Sequence, residues 1–294
     1  MAATMRHSGE LATATGRTTP TREHPAYSVP WYRSGRFLLP LVFSAAAIVA
    51  QIGYPLTTGG TRDRITVAIV LLSAGAALAH ATATRGPRYA IGFLVVVSGL
   101  GLTAEVIGTA TGVPFGCYEY AADRLGPALL TVPLIVPLAW TGGIYPVWVV
   151  AGMLSRHTLA RVVTTAAGAV GWDLFLDPQM VADGQWTWCD TQSGLPGLDW
   201  IPVTNYLGWF GVALVMGGLL AAWEQAAPDP VRTPPEHGRA PARVVPVTLF
   251  LWTWLGSALA HAVFLGLLPS AGYGFAGMAV LGVPLLVVAA RARR

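Results

Sequence analysis

Long runs of residues without a single charged side chain recur along the 294-residue sequence. Residues 37–61, 65–84, 125–155 and 244–290 contain no Asp, Glu, Lys or Arg. About 20 apolar residues are enough to cross the hydrocarbon core of a bilayer. Over the whole chain only 11% of residues are charged and 54% are hydrophobic, whereas soluble domains carry about 25% charged residues. The sequence therefore predicts a polytopic membrane protein and excludes a water-soluble globular one.

Apolar runs of spanning length predict eight transmembrane helices packed into one all-α membrane bundle. These spans are 37–56, 65–84, 89–110, 128–153, 159–176, 206–223, 246–268 and 273–290. The fourth span is the least regular, because it contains several prolines, among them Pro137 and Pro146. Such a segment suits a kinked, tilted or broken helix. Seven or nine spans are therefore alternatives to eight.

Arginine supplies all 18 basic residues, and its distribution predicts the orientation of the bundle. If the N-terminus lies inside, 15 of the 18 arginines fall in the N-terminal tail, the inner loops or the C-terminus. Only Arg62, Arg64 and Arg124 fall outside, so the positive-inside rule predicts cytoplasmic N- and C-termini in a multi-pass cell-membrane protein. No nucleic-acid partner is expected, because the arginines are spread over short loops rather than gathered in one patch.

A single membrane domain is predicted for residues 36–294. Residues 1–35 are poor in large apolar side chains, which predicts a disordered cytoplasmic tail. A cleaved signal peptide is the alternative for this segment. Residues 224–244 contain five prolines and are predicted to form a flexible cytoplasmic linker.

Acidic residues follow a different distribution, since eight of the 14 fall in two stretches of the outer half of this topology. They lie in or beside two connections rich in Gly, Pro, Tyr and Trp, residues 105–126 and 172–209. In the first, Glu105 precedes Gly108 and Gly112 on one helical face, and small residues at this spacing allow close helix packing. A carboxylate inside a membrane is costly, so Glu105 is a candidate functional residue. A structural hydrogen bond to a neighbouring helix is the alternative.

Asp173 and Asp177 are four residues apart near the outer end of the fifth span. They share one face of the helix if it extends that far. Two carboxyls so placed repel each other when both ionise, and burial also opposes ionisation, which favours one of them keeping its proton. In the alternative interpretation, Asp177-Pro178 ends the helix and Asp173 pairs with a tryptophan indole.

Aromatic side chains are dense in the second connection, where five of the 11 tryptophans lie between Trp172 and Trp209. An interfacial aromatic belt would explain them. A groove whose indole faces pack a long polyene and stabilise a developing cation would explain them equally well. Asn205, at the start of the sixth span, is expected to orient a water molecule or to cap that helix.

Other chemistries find no support in the sequence. His-rich clusters for a di-iron site are missing, and His80 and His261 are predicted far apart in the bundle. Walker, dinucleotide-binding and nucleophile-elbow motifs are missing as well. The sequence therefore predicts acid–base chemistry with neither a metal nor a cofactor. Cys117 and Cys189 both fall in outer connections, where they either form a disulfide or remain free thiols.

Three ordered motifs resemble the membrane carotenoid hydratase family, which includes bacterioruberin-pathway and monocyclic-carotenoid hydratases. The motifs are EVIGTATGVPFGCYEY (Glu105–Tyr120), WDLFLDPQMVADGQWTW (Trp172–Trp188) and IPVTNYLGWF (Ile201–Phe210). In span pattern the resemblance covers roughly residues 37–290. It implies a carotenoid substrate, lycopene-like or a fifty-carbon acyclic carotenoid, together with contact to membrane lipid. It also implies addition of water across the terminal C1–C2 double bond of an acyclic end group, giving a tertiary alcohol.

The implied reaction assigns roles to residues at the matching motif positions. Protonation of C2 leaves a tertiary cation at C1, so the site needs an acid, a water molecule and a carboxylate that accepts the proton of the water. We expect Asp173 to be the acid and Glu105 or Asp177 to be the base. Tyr118 and Asn205 are expected to position the water. The substrate is expected to pack against Trp172, Trp186, Trp188 and Trp209.

Two other functions remain compatible with the sequence. A carotenoid cyclase would start from the same protonation but quench the cation internally, so its product would keep the mass of its substrate. A proton-coupled transporter or lipid-binding membrane protein would instead use Glu105 and Asp173 to couple protons or to bind a cation. The sequence shows no internal repeat of the kind that many transporters contain. It leaves the oligomeric state open.

Overall fold

The computed structural model of the protein describes residues 35–189, 194–226 and 241–292. Within these residues, eight helices are long and apolar enough to cross a membrane, which confirms the predicted polytopic helical bundle. The predicted tail lies outside the described residues except for Gly35. Helical structure extends into both ends of the predicted linker 224–244, whose middle part, 227–240, also lies outside them.

The helices are numbered here in chain order. They are α1 (Leu38–Gly53), α2 (Gly59–Arg85), α3 (Pro87–Thr111), α4 (Ile135–Leu154), α5 (Thr158–Ala182), α6 (Val203–Ala226), α7 (Ala242–Phe264) and α8 (Leu268–Arg291). A 3₁₀ turn, Tyr54–Leu56, follows α1, and α7 contains two π-helical turns, Trp252–Gly256 and Ala260–Phe264. The connections α1–α2, α3–α4, α5–α6 and α7–α8 lie at one end of the bundle. We call it the sheet end, because the strands of the described residues lie there.

The fourth span begins later than the hydropathy pattern predicts. The structure starts α4 at Ile135, because the preceding residues form a hairpin in which β2 (Ala128–Leu129) pairs with β3 (Val132–Pro133). Pro133 lacks an N–H group and restricts the residue before it to extended backbone, so a helix cannot run through this position without strain. Beyond it α4 is one continuous helix that includes Pro146.

The fifth span ends later than predicted, because α5 continues through Pro178 to Ala182. A proline inside a helix cannot donate to the carbonyl four residues earlier. That carbonyl, of Leu174, accepts a hydrogen bond from the Ser270 hydroxyl of α8 instead, at 2.7 Å. A neighbouring helix thus satisfies the freed backbone group. As a result, Asp177-Pro178 does not end the helix.

Two further strand pairs and a disulfide connect the loops of the sheet end. The strand after α3, β1 (Tyr118–Tyr120), pairs antiparallel with β4 (Trp186–Trp188), which follows α5. Just before α6, β5 (Gly194–Leu195) pairs with β6 (Leu198–Pro202). Cys117 and Cys189 flank the β1–β4 pair and form a disulfide. The sequence left open whether these two cysteines pair or remain free thiols.

A partly buried ionic cluster joins α2, the end of α5 and the α3–α4 connection at the sheet end. Asp183 pairs with Arg62 at 3.0 Å and with Arg124 at 3.5 Å. Arg124 also bonds to Asp63 at 2.6 Å, and the hydrogen bond to this carboxylate raises the pKa of its guanidinium. Asp63 and its role here were not anticipated from the sequence. The cluster therefore connects the α3–α4 loop to α2 and to the end of α5.

A second cluster at the opposite end centres on Glu224 of α6. Its carboxylate accepts hydrogen bonds from Arg85 at 2.5 Å and Arg161 at 2.7 Å. The Tyr89 hydroxyl and the Trp148 indole donate to it as well, at 2.8 and 3.0 Å. Glu224 therefore links the ends of α2, α3, α4, α5 and α6, although the sequence placed it in a linker.

Replacing Glu224 by alanine is expected to lower the free energy of unfolding by about 3 kcal/mol, because the partly buried guanidinium groups around it lose this carboxylate. Chemical denaturation of the purified protein in detergent micelles measures the change. Glu119→Ala is the matched control, since Glu119 is exposed in β1, and it should leave stability unchanged. Equal stability of the two variants would show that the cluster does not hold the helix ends together.

Candidate active site

A chamber of about 110 Å³ lies beneath the sheet end, surrounded by α2, α3, α4, α5 and α6. Acidic side chains line it, Glu105 from α3 and Asp173 and Asp177 from α5, each no more than 4% exposed. Among the described residues of its wall there is no arginine and no histidine. Carboxyls gathered without a cation favour the retention of a proton among them and attract positive charge in a bound molecule.

Asp173 and Asp177 lie one turn apart on the same face of α5, which is possible because the helix continues past Pro178. The Asn205 side chain, in the first turn of α6, donates from Nδ2 to both of them. The distances are 3.1 Å to Asp173 Oδ2 and 2.7 Å to Asp177 Oδ2. An amide nitrogen has two hydrogens, so this one group bridges the two carboxyls rather than capping the helix.

The hydrogen bonds of the two aspartates differ. Asp177 accepts a second hydrogen bond, from the Trp186 indole N–H at 2.6 Å. Within the described part of the chain, Asp173 accepts only from Asn205. Donors stabilise the ionised form of a carboxyl. The arrangement therefore suits Asp177 to carry the negative charge and Asp173 to keep the proton.

Glu105 is held by two tyrosines of β1. The hydroxyls of Tyr118 and Tyr120 donate to Glu105 Oε2 at 2.5 and 2.7 Å. Burial and the nearby carboxylate raise the pKa of both hydroxyls well above the usual value, so both remain protonated donors. Gly108 makes this approach possible, since a β-carbon at that position would lie 2.9 Å from the Tyr118 hydroxyl and 2.7 Å from the ring of Phe115.

Indole rings form much of the remaining wall. Trp186, Trp188 and Trp209 line the chamber together with Trp140 of α4, whose ring stacks on that of Trp209 at a centroid distance of 3.8 Å. The negative faces of such rings can stabilise a cation. Trp172 lies apart from the chamber. It lines a neighbouring cavity and packs edge-on against Trp140 at 5.3 Å.

That neighbouring cavity is larger, about 470 Å³, and lies between α1, α2, α4, α5 and α7. Its wall is mainly apolar. Residues common to both walls mark the junction where the two spaces adjoin: Tyr54, Ile69, Val70, Ala139, Leu176 and Gln179. The chamber and the cavity together therefore form a site with a polar part and an apolar part.

A chain of hydrogen bonds fixes Gln179 at this junction. His261 contacts the Ser270 hydroxyl through Nδ1 at 2.8 Å and Gln179 Oε1 through Nε2 at 3.1 Å. Because an amide oxygen can only accept, Nε2 carries the hydrogen in this contact. The Ser270 hydroxyl also lies 2.7 Å from the Leu174 carbonyl. These contacts fix the Gln179 side chain of α5 against α7 at the junction.

The structure brings most of the residues singled out in the sequence to one place. Those that line the chamber are Glu105, Tyr118, Asp173, Asp177, Trp186, Trp188, Asn205 and Trp209. Residues that the sequence did not single out also line it, among them Tyr54, Tyr120, Trp140 and Gln179. Tyr120 could have been found from its spacing to Tyr118, because alternate residues of a strand share a face. The others lie in ordinary apolar sequence that gives no comparable indication.

Comparison with known proteins adds three findings. A family model described as "Carotenoid biosynthesis protein" matches residues 65–281. Bisanhydrobacterioruberin hydratase from Haloarcula japonica is 34% identical to the chain over 110 residues, 36% of this chain and 36% of that protein. The chain thus spans about a third of the length of this curated relative. No solved structure matches the chain.

Proposed function

This chain belongs to the family of carotenoid biosynthesis proteins, and we propose that it adds water across the terminal C1–C2 double bond of an acyclic carotenoid end group. The observation that carries the proposal is the Asp173–Asn205–Asp177 bridge, which lies with Glu105 in an aromatic chamber beside an apolar cavity. Hydration of an alkene requires a proton donor, a proton acceptor and protection of a cation. The residues of the chamber are of the types that supply all three. The name of the Haloarcula japonica relative, a hydratase, supports hydration as the type of reaction.

The reaction begins when Asp173 transfers its proton to C2. The π electron pair forms the new C–H bond, and C1 becomes a tertiary cation. A lone pair of the water oxygen then attacks C1, and Asp177 accepts a proton from that water as the C–O bond forms. Both carboxyls bond to the same nitrogen of Asn205, which keeps their oxygens close together, and a water molecule in the chamber carries the proton from Asp177 back to Asp173. The net change is the addition of one water molecule, and the steps consume no cofactor.

Glu105 and the aromatic walls act on the cation rather than on the proton. The Glu105 carboxylate adds a second negative charge to the chamber, which lowers the energy of the tertiary cation. The stacked rings of Trp140 and Trp209 present π faces to the same space. The hydroxyls of Tyr118 and Tyr120 donate hydrogen bonds to Glu105. Their oxygens keep lone pairs that can position water.

The test is chromatography with mass spectrometry on pigments from a lycopene-producing bacterium that expresses this chain. We expect a more polar carotenoid, heavier than lycopene by one water. A new product with the mass of lycopene would show cyclisation or isomerisation and would contradict hydration. If the protein reaches the membrane and lycopene is unchanged, the assay is repeated with a fifty-carbon acyclic carotenoid. If the fifty-carbon carotenoid is also unchanged, the proposed hydration is wrong.

We also propose that the termini are cytoplasmic and that the sheet end faces the opposite side of the cell membrane. The arginine distribution supports this orientation, as does the disulfide at the sheet end, because disulfides persist in oxidising compartments. A membrane-impermeant maleimide added to intact spheroplasts should label the chain only after a permeant thiol reductant has opened the Cys117–Cys189 bond.

The control for this labelling carries His157→Cys in a Cys117→Ser, Cys189→Ser background. His157 is exposed between α4 and α5, at the end of the bundle opposite the disulfide. Its cysteine should react only after the membrane has been opened. If instead the His157→Cys variant is labelled in intact spheroplasts and the reduced unmodified chain is not, the orientation is the opposite of the proposed one.

A further inference from the structure

The apolar cavity opens toward the surrounding lipid between the ends of α1 and α7. Ile52 and Leu56 at the end of α1 line the cavity, and so do Leu259 and Phe264 of α7. Each of these four side chains is also at least half exposed on the outside of the bundle. Residues that line a cavity and face outward at the same time mark its opening. We call these four residues the mouth.

The cavity is long and is closed at depth. Its wall follows α7 from Leu249 to Phe264, a length of about 22 Å at the rise of a helix. Gly256 and Ala260, which belong to the two π-helical turns, are small residues of this wall, and a β-carbon on Gly256 would lie 3.2 Å from the ring of Trp252, which lines the same cavity. At the deep part α2 and α4 are in close contact, since a β-carbon on Gly142 would lie 2.9 Å from that of Ser73.

We propose that this cavity holds the polyene chain of the substrate and that the carotenoid enters it sideways from the bilayer through the mouth. The inference rests on the proposed function, because a carotenoid is expected in the cavity only if the carboxyls of the chamber act on a carotenoid end group. The space beside the chamber is apolar, elongated and open to lipid, which suits a linear hydrocarbon chain. Its end group reaches the carboxyls by passing Tyr54 and Gln179 at the junction.

The size of the chamber decides how many ends of the substrate react at once. A carotenoid is about as long as the bilayer core, ~30 Å, so its two ends cannot both lie in a chamber of about 110 Å³. One end group is therefore hydrated at a time, and the second reaches the chamber only after the carotenoid has left and turned round.

Tryptophan substitutions at the mouth test this route. Ile52→Trp and Leu259→Trp fill the opening, and Val49→Trp and Val263→Trp are their controls on the same helices. Val49 and Val263 are 68% and 64% exposed and, among the described residues, do not belong to the cavity wall. The readout is the lycopene that copurifies with the protein, measured as the ratio of visible to ultraviolet absorbance. All four variants are made in an Asp173→Asn background, so that turnover does not consume the pigment.

We expect bound lycopene to fall at least about fivefold in the mouth variants and to stay within about twofold in the controls. A second pair fills the cavity from inside. Gly256→Leu should cause the same loss, whereas Gly272→Leu on α8, whose β-carbon would meet nothing within 4 Å, should not. This pair decides the question if the tryptophan variants do not elute as a single folded species.

The outcomes separate this inference from the proposed function. Equal lycopene retention in the cavity-filling variants and their controls would overturn the polyene site. If the unmodified chain forms no hydrated product, the proposed reaction fails. The lycopene ratios would still show in that case whether the cavity takes up a polyene through the mouth.

Discussion

Replacing Asp173 by asparagine is expected to abolish hydration, with the rate of product formation falling by about a thousandfold. Asparagine keeps the size of the side chain and still offers an oxygen to Asn205, whose Nδ2 lies 3.1 Å from the native carboxyl. It has no acidic proton to transfer to C2. Asp177 and Glu105 do not replace it, because each accepts hydrogen bonds from two donors that stabilise its ionised form.

The measurement is the initial rate of alcohol formation in isolated membranes at matched protein levels. Asp199→Asn is the control, since Asp199 is an exposed acid of β6, and its rate should equal that of the unmodified chain. A rate within tenfold of normal for Asp173→Asn, with the control unchanged, would remove Asp173 from the mechanism.

Replacing Asp177 by asparagine is expected to slow hydration by about a hundredfold while protonation of the substrate continues. Asp173 can still give a proton to C2, but the attacking water has lost its proton acceptor. The cation then returns a proton to Asp173 and reverts to the alkene. In D₂O the variant should therefore produce carotenoid that carries deuterium at C2 and contains little alcohol, which mass spectrometry detects directly.

The same deuterium experiment distinguishes the acid from the base. Asp173→Asn should lose both exchange and hydration, because the cation never forms. Glu105→Gln should lower both rates together, since it removes a charge that stabilises the cation. If Glu105→Gln, rather than Asp177→Asn, exchanged deuterium without hydration, Glu105 would be the base and our assignment of Asp177 would be wrong.

The carboxyl pair shows which features of the site can be predicted from the local sequence and which cannot. A spacing of four residues puts Asp173 and Asp177 on one face of any helix, so their proximity could be predicted from the sequence. Whether the helix extends to Asp177 could not, because Pro178 is compatible both with a helix end and with a continued helix. The outcome depends on Ser270, 96 residues from Leu174 in the chain, which satisfies the carbonyl that the proline leaves free.

Other parts of the site depended on contacts that no local pattern contains. Tyr120 joins Glu105 only because the segment after α3 forms a strand paired with β4. Gln179 is oriented by His261 from another helix. Glu224, in sequence that resembles a linker, binds arginines from two other helices. Each of these contacts joins positions more than ten residues apart.

By itself the sequence determined that the chain forms a bundle of apolar membrane-spanning helices, and it favoured eight of them over seven or nine, since the bilayer accepts only segments of suitable length whose backbone is satisfied internally. It also identified the carboxyls, because an acid in such a segment is costly without a role. Only the tertiary structure decided that Asn205 bridges the two aspartates, that two tyrosines hold Glu105 and that Trp172 lines the neighbouring cavity. The physical reason is that helix periodicity and hydropathy act within one segment, whereas these contacts arise from the close packing of several segments.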